Sequence, residues 1–309
     1  MKVLLTGAAG QLGQALLASR PEGVELLPLR RSELDLADAD ACRQLVRQHQ
    51  PDWVLNAGAY TAVDRAEGEA DLALAVNAGA PGAFAEALAE TGGRLLQVST
   101  DFVFNGQQGS PYRPDQVPEP LGVYGASKAA GERAVRAALG PGRARILRTS
   151  WVYGPVGANF CLTMLRLHAL KAATGDPLGV VADQVGCPTA TDGLAAACWR
   201  AIGLGADPDA AEILHWSDAG AARWYDFAVA IGELGVAAGL LDQAAEVRPI
   251  PTSAYPTPAA RPPYSLLDCI ASRAALGLEP THWRAALGQV LGQVAARQRN
   301  VDAGVGSGA

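Results

Sequence analysis

An α/β architecture is predicted for this chain: a doubly wound parallel sheet with a second, smaller α/β domain. Three observations predict it. Short apolar runs alternate with helical patterns through the first half of the chain, a glycine-rich turn joins the first run to the first helix, and the alternation fades after about Trp151. The 309 residues suit a domain of roughly 150 to 200 residues with a smaller companion.

The first strand is expected at residues 2–6, an apolar run cut by Gly7, and the first helix at 11–19. Strands follow at 24–29, 52–56, 94–99 and 144–149, each an apolar stretch of strand length. Helical patterns fill the intervals at 38–49, 71–90 and 123–139. Ligands in such sheets bind beyond the carboxyl ends of the strands, so the loops after these strands are where chemistry is sought. Beyond Trp151, proline and glycine become frequent around Pro155, Pro177, Pro188 and residues 249–263, and a last piece of sheet is expected near 213–216. The resulting division assigns 1–150 and about 185–220 to the first domain and about 151–184 and 221–297 to the second. Residues 298–309 are expected to form a flexible tail.

The formal charge is −6 and no lysine or arginine cluster follows a helix, which argues against nucleic acid as a partner. The N-terminal apolar run is too short for a secretory signal, and no segment is expected to approach the roughly 20 apolar residues of a membrane span. A cytoplasmic protein is expected. Cys42, Cys161, Cys187, Cys198 and Cys269 are scattered and odd in number, which suits buried thiols rather than disulfides or a zinc site. The four histidines suggest no metal cluster.

Gly7-Ala8-Ala9-Gly10-Gln11-Leu12-Gly13 follows a strand and opens a helix, the context of a dinucleotide-binding turn. Glycine admits a pyrophosphate close to the backbone, and the helix N-terminus offers unpaired N–H groups. The second strand ends at Arg30-Arg31 where NAD binders usually carry an acid. An arginine pair can clamp a 2′-phosphate, so NADPH is expected, with NADH the alternative; the bland reading is that both arginines are merely exposed. Asp35 and Leu36 lie a little further on, where related dinucleotide-binding enzymes place a residue beside the adenine, and Ala57, Ala59, Tyr60 and Thr61 follow the third strand, where they would run under the cofactor.

Tyr124-Gly125-Ala126-Ser127-Lys128 places a phenol and an ammonium four residues apart on a helix, and so on one face. A nearby cation stabilises phenolate, which would make a phenol of ordinary pKa about 10 a usable acid for carbonyl reduction by hydride. The basic residues are nearly all arginine. Lys2, Lys128 and Lys171 are the only lysines, so an amine at Lys128 stands out.

Further blocks are Thr61-Ala62-Val63-Asp64-Arg65-Ala66-Glu67, Ser99-Thr100-Asp101-Phe102-Val103-Phe104, Arg148-Thr149-Ser150-Trp151-Val152-Tyr153, Asp183-Gln184-Val185-Gly186-Cys187-Pro188-Thr189 and Tyr255-Pro256-Thr257-Pro258-Ala259-Ala260-Arg261-Pro262. With these, almost the whole chain resembles the dTDP-4-dehydrorhamnose reductases, a branch of the extended short-chain dehydrogenase/reductases with a Rossmann sheet. The resemblance implies reduction of a dTDP-sugar C4 ketone, with Thr100, Tyr124 and Lys128 catalytic. Ser99 competes with Thr100, since only one of two adjacent strand residues can face the site, and the family pattern selects Thr100. Val63, Asp101, Trp151, Asn159, Gln184 and Arg261 are implied substrate contacts. Asp101 would equally cap a turn, Trp151 would equally serve a core, and a surface salt bridge would also explain Arg261.

Some family members dimerise through magnesium held by glutamates, one of them on the first helix. Gln11-Leu12-Gly13-Gln14-Ala15-Leu16-Leu17 holds no acid, which argues against a magnesium bridge and leaves a monomer or a differently built homodimer. Rival readings are a reductase setting the opposite C4 stereochemistry, an epimerase or a dehydratase of the same superfamily, or a non-catalytic dinucleotide-sensing subunit. The missing glutamate after Asp101 weakens the dehydratase reading, and the presence of Thr100, Tyr124 and Lys128 weakens the regulatory one.

Overall fold

The computed structural model describes residues 1–306 except 206, 208 and 209, with side chains to Asn300. The first half runs β1 Lys2–Thr6, α1 Gln11–Ala18, β2 Glu25–Leu29, α2 Ala39–His49, β3 Trp53–Asn56, α3 Val63–Ala66, α4 Ala70–Leu74, α5 Ala80–Thr91, β4 Arg94–Thr100, α6 Val123–Leu139 and β5 Ala144–Thr149. The second half continues β6 Val152–Tyr153, α7 Phe160–Thr174, β7 Leu178–Val181, β8 Val185–Gly186, β9 Thr189–Ala190, α8 Thr191–Gly203, β10 Ile213–His215, β11 Ala222–Arg223, α9 Trp224–Ala237, β12 Val247–Ile250, α10 Ile270–Leu276 and α11 Trp283–Gly306.

Six parallel strands form the main sheet in the order β10-β5-β4-β3-β1-β2. The order reverses direction at β1 and β3, so the crevice for a ligand opens where the glycine turn and the loop after Asn56 leave the sheet. Pro28 is tolerated because β2 is an edge strand. Both faces are covered: α1 and α8 share one apolar cluster with the sheet, and α2, α5 and α6 share the other. A further core gathers side chains from Tyr153 to Ala190 and from Ala222 to Leu291, around α7, α9 and α11. We propose the domain division along these cores.

Four expectations change. The helix expected at 71–90 is interrupted by a π-helical turn, Ala75–Gly79. The whole stretch Ala70–Thr91 is long and apolar enough to cross a membrane by length and composition, against the expectation that no segment comes near this; half of it is buried inside the fold. Positions 298–306, expected in a flexible tail, continue α11, and 307–309 lie outside the described residues. The strand expected at 94–99 also runs one residue further, pairing Thr100 with Thr149.

The π turn has a local cause. It widens the helix where Asn77 enters: the Asn77 amide donates to the Tyr60 carbonyl and the Ser127 hydroxyl, and its oxygen accepts from Tyr60 N–H. The helices approach so closely here that a Cβ on Gly131 would lie 2.1 Å from the Asn77 carbonyl oxygen. Backbone cannot move aside cheaply, so overpacking outweighs alanine's better helix propensity. Gly131→Ala is expected to lower stability by about 1–3 kcal/mol in urea unfolding; unchanged stability would contradict the close contact.

Candidate active site

The glycine turn is built for close approach. Gly7 has φ +68°, and a Cβ there would lie 2.8 Å from Gly58; Gly13 packs directly under the Gly7 carbonyl. Gly10 opens α1 without a side-chain cap, and the first turn carries no acid, so the positive end of the helix faces outward unneutralised. A buried ladder fixes the loops on either side: Thr6 Oγ1 donates to Asn56 Oδ1 (2.5 Å) and accepts from Gly58 N–H, and Asn56 Nδ2 donates to Gln97 (2.7 Å). These features fit a dinucleotide pyrophosphate.

Arg30 and Arg31 are exposed at the end of β2, and among the described residues neither guanidinium has a carboxylate partner. Asp35 accepts from Ala37 N–H in a local turn, and Leu36 packs against Gly58. Ala57, Ala59 and Tyr60 line the half-buried loop after β3, where the Tyr60 hydroxyl donates to Glu69, and Thr61 is exposed. Leu12 departs from expectation: its side chain belongs to the sheet core, leaving only its backbone for a ligand.

Thr100 ends β4 and begins the short turn Asp101–Val103, accepting from Phe102 N–H (3.2 Å) and donating to Asp101 Oδ1 (3.1 Å). Its hydroxyl also lies close enough to the Tyr124 phenol to lower that group's pKa. Ser99 is engaged by buried Glu132 (2.5 Å), two helical turns beyond Tyr124 on α6, which leaves Thr100, where β4 turns away, as the hydroxyl beside the phenol. Asp101 is buried with Oδ2 unpartnered, and desolvation raises its pKa to about 6.

The expected effect of Lys128 on the phenol is absent in the free protein. Burial pushes the Tyr124 pKa up to about 12, with the neighbouring Thr100 hydroxyl opposing. The reason is geometric: Lys128 is buried and its ammonium donates to the Val98 carbonyl (2.6 Å). Desolvation lowers the Lys128 pKa to about 8, opposed by Glu132.

Trp151 follows β5 with φ +45°, a conformation rare for a bulky residue and characteristic of functional sites. Its ring stacks on Trp224 (3.5 Å, 7°) and packs against Gly186. Val63 starts α3, half-buried. Three implied substrate contacts are otherwise engaged. Asn159 caps α7 through Leu162 N–H and donates to Gln11, Gly154 and Val156. Buried Gln184 donates to Thr252. Arg261 forms a two-pronged ion pair with Asp64 (3.0 and 2.8 Å) and bonds Thr257 and Ala259, the salt-bridge alternative rather than a free phosphate ligand. Each side chain satisfies itself across a loop junction, which sequence spacing could not reveal. Among the described residues no group of three or more His, Cys, Asp or Glu is placed to hold a metal.

A family model described as the RmlD substrate binding domain matches residues 1–296. The chain belongs to this family. Among its relatives is a dTDP-4-dehydrorhamnose reductase of Streptomyces griseus, 44% identical over 290 residues, covering 92% of this chain and 91% of the relative. The structure of the dTDP-4-dehydrorhamnose reductase from Clostridium acetobutylicum superposes with a TM-score of 0.85 at 35% identity, covering 94% of this chain and 98% of that one. That of the Bacillus anthracis enzyme in complex with NADP gives 0.84 at 33% identity, covering 94% and 98%.

With three lysines in the chain, the Lys128 amine can be followed by NMR after assignment with Lys128→Met. In the free protein it is expected to titrate near pH 8. Because the unfolded lysine holds its proton to higher pH, this group's penalty on folding is full below about 8 and eases as pH rises from there towards the unfolded pKa of about 10.4. An amine still fully protonated at pH 10 would contradict the buried placement.

Proposed function

We propose that this RmlD-family member reduces the C4 ketone of dTDP-4-dehydro-β-L-rhamnose to dTDP-β-L-rhamnose, the last step in making this activated sugar, with NADPH as reductant. The observation that carries the reading is the grouping of Thr100, Tyr124 and Lys128 where the end of β4 meets α6, in a sheet whose glycine turn presents an uncapped helix terminus. NADPH supplies the hydride when bound. Gly7, Gly10 and the α1 N-terminus would hold its pyrophosphate, Arg30 and Arg31 its 2′-phosphate, and Lys128 its ribose hydroxyls in exchange for the Val98 carbonyl.

The Thr100 hydroxyl donates to the ketone oxygen and draws charge onto it, and Tyr124 delivers the proton as the oxygen becomes an alkoxide. A sugar alkoxide is a stronger base than phenolate, so the transfer runs downhill even from a phenol pushed up to about 12. Ammonium at Lys128, brought to the ribose, favours the phenolate left behind. Trp151, held between Trp224 and Gly186 just past β5, is the aromatic side chain assigned to the sugar in this reading. The same reading has the enzyme in the cytoplasm, a monomer or homodimer acting on a soluble dTDP-sugar, without nucleic acid or membrane as partner; the net charge of −6 supports the nucleic-acid part.

The test is NADPH absorbance with dTDP-4-dehydro-β-L-rhamnose generated in the same tube. Tyr124→Phe is expected to lower kcat about 10²- to 10⁴-fold with little change in NADPH affinity; full turnover by this variant would remove the acid role. Replacing Arg30 and Arg31 by Ala should raise the KM for NADPH about tenfold or more while leaving that for NADH nearly unchanged. Equal effects on both cofactors would contradict the 2′-phosphate clamp.

A further inference from the structure

Beneath the site lies a charged cluster with no place in the chemistry above. Glu132 and Arg148 form an ion pair whose side chains are 3% and 1% exposed. Arg148 donates through Nε to Oε1 (2.9 Å) and through Nη2 to Oε2 (2.7 Å), and its Nη1 reaches the Pro114 carbonyl (3.2 Å) and His215 Nε2 (3.4 Å). Ser99 Oγ donates to Glu132 Oε1 at 2.5 Å. Ser99, Arg148 and His215 stand opposite one another in register across β4, β5 and β10, so Glu132 receives one rung of the sheet from the helix side.

We propose that Glu132 is a positioning residue for the reduction, joining α6 to β4 and β5 so that the Lys128 ammonium, the Tyr124 phenol and the Thr100 hydroxyl keep one arrangement. This rests on the roles given to those three groups under the proposed function. Glu132 is one helical turn beyond Lys128 and two beyond Tyr124. Its strand partner, Ser99, lies between Val98, whose carbonyl anchors Lys128, and Thr100. One carboxylate therefore ties the helix bearing two site groups to the strand residue flanked by the anchor of one and by the third. A buried ion pair is a weak device for stability, since apolar residues of similar volume often serve as well, whereas its fixed two-pronged geometry suits alignment.

The cluster also has an electrostatic effect. The charged and titratable groups of the cluster and the site beside it are Tyr124, Lys128 and Glu132 on α6, Asp101 in the turn after β4, Arg148 of β5 against Glu132, and His215 of β10 against Arg148. Of these, Glu132 is the one whose charge opposes the burial of the ammonium. Removing that charge favours the neutral amine, and leaves Arg148 without its counter-ion.

Ser99→Ala and Glu132→Gln test the proposal, with thermal midpoints recorded and kinetics taken only where each variant is folded. Both are expected to lower kcat at least about tenfold with the sugar KM nearly unchanged, the pattern of lost alignment in the transition state. Glu132→Gln should also move the alkaline limb of kcat/KM for NADPH to lower pH, because the ammonium is lost earlier. A double replacement, Glu132→Leu with Arg148→Met, should fold and still show the loss in kcat. Folded variants with undiminished kcat and an unmoved alkaline limb would overturn the proposal. Should Glu132→Gln fail to fold, Ser99→Ala decides alone, and its undiminished kcat would overturn it. Tyr124→Phe is the control: full turnover by it removes the underlying functional reading, whereas a dead Tyr124→Phe beside a normal Ser99→Ala removes only the positioning role.

Discussion

Helix α6 lies with its first half against the carboxyl end of β4, and the rest of the site depends on that contact. The helix carries Tyr124 and Lys128, the strand carries Thr100, and neither element alone presents a proton donor beside a polarising hydroxyl. The contact is held on both sides. Toward the sheet, Lys128 bonds the Val98 carbonyl and Glu132 receives Ser99 and Arg148; toward α5, Asn77 grips Ser127 and the Tyr60 loop through the π turn. The side chains of Asn77, Ser99, Ser127, Lys128, Glu132 and Arg148 are all buried, so each needs its partner and the set admits few alternative geometries.

The second core is joined to the sheet by polar ties that end on the cofactor side. Asn159, at the start of α7, donates to Gln11 of the glycine turn, and Arg261 reaches Asp64 on α3. These side chains thus tie α7 and the 257–261 segment to the glycine turn and to α3. Trp151 differs from them. Its backbone is held in a left-handed conformation and its ring rests on Trp224, an arrangement that costs about 1–3 kcal/mol and persists only where surrounding structure enforces it.

Local signals made most of the sheet legible. β5 and α6 fall where apolar runs and helical spacing place them. The glycine turn was readable because the backbone conformation at Gly7 and the close approach at Gly13 demand that residue type. Long-range partnerships were not. Arg261 and Asp64 are 197 residues apart, and a guanidinium by itself does not tell a carboxylate from a phosphate. Asn77 left only a faint sign, a lone amide in an alanine-rich helix, and the depressed Lys128 pKa arises from burial that spacing cannot report.

The central claim, hydride delivery to the sugar C4 at the junction of β4 and α6, is tested most directly by isotope transfer. Single-turnover reaction of the full chain with NADPH deuterated at the transferring nicotinamide position, followed by NMR of the product, is predicted to give dTDP-β-L-rhamnose with deuterium at C4. Deuterium at another carbon, or retention of the label in unconsumed NADPH while the ketone persists, would contradict it.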